Sequence, residues 1–392
     1  MKRSALKITG TTIVLLSATI GIFSVYAHNR LSGLRKTASP SEAITTSNAR
    51  KIKIALLLDT SNSMDGLIEQ AKSQLWTIVN ELAAATADGV KPELQIALYE
   101  YGNDRLPASE GHIRQVTPLT NDLDKISQDL FTLTTNGGDE FCGYAVKTAS
   151  SQLDWSADGK DLQVIFIAGN EPFTQGNVHY REACLAAKNK NIVVNTIFCG
   201  NYQEGILSNW KDGADITGGS YMSIEQNNKT VFIPSPYDDQ INQLNIQLNQ
   251  TYIEYGREGK VKKEMQQRQD KNAEVYGKEN SVNRAVSKTS HVYKNKSWDM
   301  VDASDDKEFD ASKIKPEELP DNMKTMTAEE KKQYIESKKA EREKIKSEIG
   351  ELSKQREAYI SKQKQNQGDA KTLDKSMMNS IRKQAEQKNF MF

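Results

Sequence analysis

The sequence predicts an α/β protein: a doubly wound, mostly parallel sheet flanked by helices, followed by a charged α-helical tail. Three observations lead there. Short, solidly apolar runs such as "KIKIALLLD" (51–59), "DLQVIFIAG" (161–169) and "IVVNTIFCG" (192–200) have the composition of strands buried on both faces. Amphipathic segments with helical spacing lie between them, and alternation of the two kinds means a sheet covered on both sides. After about Tyr255 the apolar runs give way to Lys, Glu and Gln.

The N-terminus reads as an export signal, 1–27. Lys2, Arg3 and Lys7 precede the uncharged "TTIVLLSATIGIFSVYA", and Val25-Tyr26-Ala27 supplies short side chains where a signal peptidase reads. The alternative is an uncleaved anchor, because the run approaches the ~18-residue lower limit for a membrane span and Arg30, Arg35 and Lys36 follow it. Both readings place the bulk of the chain outside the cytoplasm, periplasmic or secreted, with the membrane touched only through that segment. Formal net charge is zero, so no whole-protein field recruits nucleic acid or an anionic membrane. Residues 28–50 are polar and read as a linker.

From residue 51 the elements follow in order. The first strand runs straight into "MDGLIEQAKSQLWTIVNELAAA", where Leu67, Ile68, Ala71, Leu75, Ile78, Val79 and Leu82 fall on one helical face. "LQIALYEYG" (94–102) is a second strand and "HIRQVTPL" (112–119) a shorter one beside it. "DLDKISQDLFTL" is helical, "DLQVIFIAG" a strand, "VHYREACLAAKNKN" a helix and "IVVNTIFCG" a strand. "EGILSNWKDGADITGG" reads as one helix with a Gly-rich stop, "YMSIEQNNKTVFI" closes the sheet, and a helix containing Ile241, Leu244, Leu248 and Tyr252 ends the domain at 255.

The stretch "LLLDTSNSMDG" (56–66) carries the chemistry. In a doubly wound sheet, ligands bind at the carboxyl ends of strands, and this loop leaves one. Its oxygen side chains have a plain use as caps for the following helix. Their spacing, Asp-x-Ser-x-Ser, also gathers Asp59, Ser61 and Ser63 into one concavity of hard oxygens suited to Mg²⁺, Mn²⁺ or Ca²⁺.

A buried strand ending in that motif, followed by an amphipathic helix, resembles the von Willebrand factor type A (VWA) domain and its metal-ion-dependent adhesion site (MIDAS). The resemblance covers 51–255 and is nearest to exported bacterial members with a charged helical tail. It implies a Rossmann-like fold, a metal ligand from a second loop, often an Asp from a third, and a protein partner that supplies an acidic residue to the metal. The second loop is "LTTNGGDEFCGYAV" (133–146), where Asp139 follows the Gly pair in place of the usual Thr. In the third loop, "IAGNEPF", Gly169 stands where the Asp is expected, with Asn170 and Glu171 as the nearest substitutes. One carboxylate has thus moved from the third loop to the second, and the site becomes Asp59, Ser61, Ser63 and Asp139. Asp139 has an alternative use as a helix cap, and Thr135 is a lesser candidate hydroxyl.

Catalysis is not expected. No His occurs within these loops, and Glu140 and Glu171 are the available bases; His112 and His179 stand alone as surface or packing residues. Cys142, Cys184 and Cys199 have no zinc spacing; either Cys184 pairs with Cys199 or all three are buried thiols.

Residues 256–392 form the charged helical region. A helix is expected over 257–293, and Trp298, Met300 and Val301 are apolar enough to dock on the preceding domain. Thr327 and Glu330 make a capping-box pair. Ile345, Ile349 and Leu352 give a short coiled-coil seam interrupted by Lys338, Arg342 and Arg356, so a solvated single helix or antiparallel hairpin is the preferred form. "NFMF" ends the chain with side chains able to dock. The alternative to an exported binding protein is a metal-free envelope scaffold that assembles through this tail.

Overall fold

The computed structural model describes residues 49–225, 227, 233–364 and 373–392. The signal, the linker up to 48 and the end of "YMSIEQNNKTVFI" lie outside the described residues. In chain order the first half contains β1 (Lys51–Asp59), α1 (Asp65–Ala84), β2 (Thr86–Ala87), β3 (Glu93–Tyr101), β4 (Ile113–Thr120), α2 (Leu123–Thr132), α3 (Cys142–Gln152) and β5 (Leu162–Gly169). Then come α4 (Tyr180–Asn189), β6 (Val193–Cys199), α5 (Tyr202–Leu207), α6 (Trp210–Thr217), β7 (Tyr221–Ile224) and α7 (Asp238–Asn249). The charged region supplies α8 (Gly259–Val275), α9 (Lys278–Ser287), α10 (Met300–Ala303), α11 (Ala328–Lys364), α12 (Leu373–Glu386) and β8 (Phe390–Met391).

The main sheet has the order β4-β3-β1-β5-β6-β7. Every pairing is parallel except β3 with β4. The chain steps outward from β1 in both directions, so the switch of strand order falls at β1, and the crevice at its carboxyl end is where such sheets hold ligands. The solid apolar run in β1 is explained by burial on both faces. Ile52, Ile54 and Leu58 join the core under α1, α2 and α12, while Ala55 and Leu57 join the core under α3 and α4. Each buried Leu or Ile contributes about 1.5–3 kcal/mol. Asp59 continues the second set and ends the strand opposite Tyr101.

Two expected helices are interrupted. Residues 202–217 form α5 and α6 rather than one helix, because Asn209 takes φ 70° between them. The helix expected over 257–293 breaks at Gly277, φ 100°, and ends at Ser287.

The charged region is not a solvated tail. Residues from Ala49 to Phe392 form one compact unit, so the change of composition near 255 is not a change of body. Its cations bury with partners. Arg284 is fully buried, with Nε 2.9 Å from Asp270 Oδ1 and its guanidinium over Trp76 of α1. Burial raises the Asp270 carboxyl, but Lys288 and Arg284 outweigh it and hold the group at about 2. In α11, Arg342 donates to Asp299 (2.6 Å), Asp302 (2.8 Å) and the Thr251 carbonyl (2.8 Å), over the Tyr252 ring. Arg356 Nε reaches Asp238 at 2.8 Å. The arginines that interrupt the expected coiled-coil seam are therefore anchors, and Ile345 and Ile349 pack into the core of their own chain. The capping box forms as expected, with Thr327 N donating to Glu330 Oε2 at 2.7 Å. Trp298 joins the core of the preceding domain as expected, whereas Met300 and Val301 pack in a separate cluster with Ile253, Leu319, Met323 and Ile335.

The last twenty residues complete the domain. Leu373, Met377, Met378, Ile381, Ala385 and Phe390 enter the core shared with α1 and β1. The first N–H groups of α12 are capped by α1, Leu373 N by Gln70 (3.3 Å) and Asp374 N by Gln74 (2.9 Å). β8 pairs antiparallel with β2. All three cysteines are free and buried. Among the described residues no helix is long and apolar enough to cross a membrane.

Candidate functional site

The cup begins where β1 stops. Thr60 N donates to Tyr101 O at 2.8 Å, which ties the loop to the end of β3. Asp59 Oδ1 accepts from Ser61 N at 2.8 Å, and a 3-10 turn over Asn62–Met64 leads into α1. The hydroxyls do not cap: Ser61 and Met64, at the two helical starts, make no side-chain capping bond. Instead Ser61 Oγ and Ser63 Oγ lie 3.2 Å apart, and Ser63 Oγ donates to Asn170 Oδ1 at 3.3 Å. The first loop therefore already touches the third.

The second loop closes the other side. Asn136 N donates to Thr60 O at 2.9 Å. The acid that it turns inward is Glu140, which is buried and whose Cγ approaches the same point as Asp59 Oδ1. A Cβ on Gly102, at the end of β3, would lie 2.7 Å from Asp59 Oδ1 and 2.8 Å from Glu140 Cγ. Only glycine lets both carboxylates crowd that point. Asp139 is exposed on the loop beside Glu140. α3 starts behind Phe141 without a side-chain cap. Thr135 bonds the Asp65 side chain. His112 is buried and packs edge-on to Phe141, with ring centroids 5.7 Å apart.

The third loop approaches through its backbone. A Cβ on Gly169 would stand 2.5 Å from Tyr101 Oη and 2.9 Å from Asp59 Oδ2. The tyrosine is fixed, since its hydroxyl donates to Ala168 O at 2.9 Å. The missing third-loop carboxylate is thus a position where any side chain collides with Asp59. Glu171 carries its charge near the cup and accepts Trp210 Nε1 on its carbonyl at 2.8 Å.

These contacts leave the carboxylates short of positive charge. Burial pushes Asp59 up to about 8; the Ser61 N–H opposes this, and the nearby Glu140 and Glu171 add to it. Burial likewise raises Glu140 to about 7, opposed by Ser61 and reinforced by Glu171 and Asp139. Asp59 Oδ2 is buried and has no hydrogen-bond partner. A buried, unpaired carboxylate oxygen beside a hydroxyl pair is costly without a cation and suits a hard one. Among the described residues no group of three or more His, Cys, Asp or Glu side chains is placed to hold a metal. What the three loops gather is two carboxylates, Asp59 and Glu140, with the hydroxyls of Ser61 and Ser63.

Asp59, Ser61 and Ser63 are brought together as the motif implies. Glu140 has no distinguishing local pattern next to Asp139. Its main chain is held by a tertiary bond, Glu140 N to Gln175 Oε1 at 2.9 Å.

A doubly wound sheet with an acid-and-hydroxyl cup at the switch point defines a class of ligand-binding α/β domains. Residues 53–231 match the family model of the von Willebrand factor type A domain, and the chain carries a domain of that family. No curated protein matches the sequence significantly. Similar solved structures include the conserved hypothetical protein BatB from Bacteroides thetaiotaomicron, at 16% identity, covering 44% of this chain and 90% of that one, TM-score 0.34. A von Willebrand factor type A protein from Catenulispora acidiphila matches at 15% identity over 45% of this chain and 39% of that one, TM-score 0.34. Proximal thread matrix protein 1 from the mussel byssus, with a zinc-occupied MIDAS motif, matches at 12% identity over 45% and 42% of the two chains, TM-score 0.33.

Proposed function

We propose that this chain is an exported binding protein that engages a protein partner through a divalent metal, Mg²⁺, Mn²⁺ or Ca²⁺, held at the cup. Asp59, Ser61 and Ser63 are its ligands from the first loop. The second loop supplies the further carboxylate. Asp139 is the residue named by the motif position, and Glu140 is the buried one, with its Cγ beside Asp59 Oδ1 at Gly102. The observation that carries the reading is the buried, unpartnered Asp59 Oδ2 next to the paired serine hydroxyls.

A hard cation bound there with few protein ligands keeps open positions at the rim, where a carboxylate from a partner fits. The chain's own part is to hold the cup rigid: Thr60 is pinned to Tyr101, Asn136 to Thr60, and Ser63 to Asn170. The role is binding rather than catalysis. Export rests on the residues of the 1–27 signal.

The test is isothermal titration of the protein with Mg²⁺ and Mn²⁺. Binding heat is expected for the wild type and is expected to vanish in Asp59→Ala. Its loss in Glu140→Gln assigns Glu140 as the second-loop ligand; loss in Asp139→Asn assigns Asp139. A wild type that binds neither ion overturns the metal reading and leaves a scaffold acting through its helical region.

A further inference from the structure

We infer that the cup sits inside an acidic rim that selects a basic polypeptide surface, so the partner presents its carboxylate among Lys and Arg side chains. The inference rests on the metal-bridged reading above and adds the kind of partner.

Four acids surround the cup, each from a different segment. Asp65 opens α1, is exposed, and is bonded by Thr135 of the second loop. Asp104 is exposed on the loop after β3, with its N–H 2.6 Å from Gly137 O. Asp139 is exposed and adds its negative charge to the field at Glu140. Glu171, on the third loop, acts on both Asp59 and Glu140. One cation stands among them, the exposed Arg105, with Nη1 3.4 Å from Thr134 Oγ1, while Arg114 is paired with Glu100; the acids outnumber it.

The second observation is independent of these acids: Asp59 Oδ2 is buried without a hydrogen-bond partner, against Gly169 of the third loop, as a ligand-binding oxygen would be. A divalent ion there balances the charge of Asp59 and of the second-loop acid that joins it, Asp139 or Glu140, and leaves the rest of the rim uncompensated. A partner that brings only a carboxylate meets repulsion from Asp65, Asp104 and Glu171. One whose carboxylate is flanked by Lys or Arg gains at each of them. Rim charges of this kind set association rate and choice of partner. The field is local, because the chain's formal net charge is zero, and it acts within a Debye length of about 10 Å at 0.1 M salt.

The test uses the full chain and three short synthetic peptides, followed by fluorescence anisotropy in Mg²⁺ and in EDTA. One is Lys- and Arg-rich around a central Glu, the second has Gln in place of that Glu, and the third has the Glu in a Gly/Ser background. The expected result is binding of the first peptide in Mg²⁺ alone, weakened about tenfold in Asp104→Asn/Glu171→Gln, with that difference shrinking as salt rises. If the first and second peptides bind equally, in EDTA as in Mg²⁺, and the double variant weakens both, the rim stands and the metal reading fails. If the Gly/Ser peptide binds in Mg²⁺ as tightly as the basic one, and the double variant changes nothing, the basic partner is overturned while the metal reading stands. Failure of the basic peptides to bind in any condition also overturns it.

Discussion

Replacing Asp59 with Asn is expected to stabilise the metal-free protein, and to do so only above acid pH. Burial raises the Asp59 carboxyl from 3.8 to about 8. The folded chain then holds a proton that the unfolded chain has released. Stability is fully present below pH about 4 and falls as pH rises toward 8, by about 1.4 kcal/mol per unit. Across that window the loss is on the order of 5 kcal/mol, a large share of a typical folding free energy of about 5–15 kcal/mol. Asn has no proton to lose and keeps a similar shape. The assay is urea unfolding in EDTA at pH 5 and pH 8 for wild type and Asp59→Asn. Because Glu140 also titrates in this range, the quantity to compare is the difference between the two proteins. That difference is expected to grow by several kcal/mol in favour of Asn between pH 5 and pH 8. Saturating Mg²⁺ at pH 8 is expected to restore the wild type and not the variant. A difference that stays constant with pH would refute the claim that Asp59 is an uncompensated buried acid.

Other consequences concern the walls and supports of the cup. Gly169→Ala places a methyl against Tyr101 Oη, and a loss of about 1–3 kcal/mol is expected in thermal unfolding, with partial recovery when Tyr101→Phe removes the hydroxyl. Ile381→Ala opens a cavity in the core shared by α12 and the sheet; chemical denaturation is expected to show a loss of about 2–5 kcal/mol in a single transition of the whole body. A separate early transition of the helical region would contradict the packing. Arg342→Ala strands Asp299 in the interior, with an expected cost of about 3–5 kcal/mol measured by the same method.

Much of the fold was legible because burial on both faces writes itself into β1, β5 and β6 as unbroken apolar runs. The first-loop cup was equally legible, since Asp59, Ser61 and Ser63 are neighbours in sequence and one turn is enough to gather them. The second loop was not. Asp139 and Glu140 are adjacent acids, one exposed and one buried, and the Glu140 backbone is held by Gln175, which no local pattern links to residue 140. The helical region misled for a related reason. Arg284, Lys288, Arg342 and Arg356 have the composition of a solvated face, but each is buried against acids distant in sequence, Asp124 for Arg284 and Asp238 for Arg356 among them. A charge run declares its exposure only when its partners are known. The burial of Trp298, Met300 and Val301 was legible because apolar side chains in a polar stretch have few other uses; that Met300 and Val301 would pack with Leu319, Met323 and Ile335 of their own region was not.

The central claim is that a divalent ion sits between Asp59 and the two serines. Crystals of the full chain grown with Mn²⁺ and measured at the manganese absorption edge test it directly. The account predicts an anomalous peak in the cup, within bonding distance of a carboxylate oxygen of Asp59 and the hydroxyls of Ser61 and Ser63 or waters on them, with an acid of the second loop beside it. No peak there under saturating Mn²⁺, with Asp59 Oδ2 still unpaired, would contradict it.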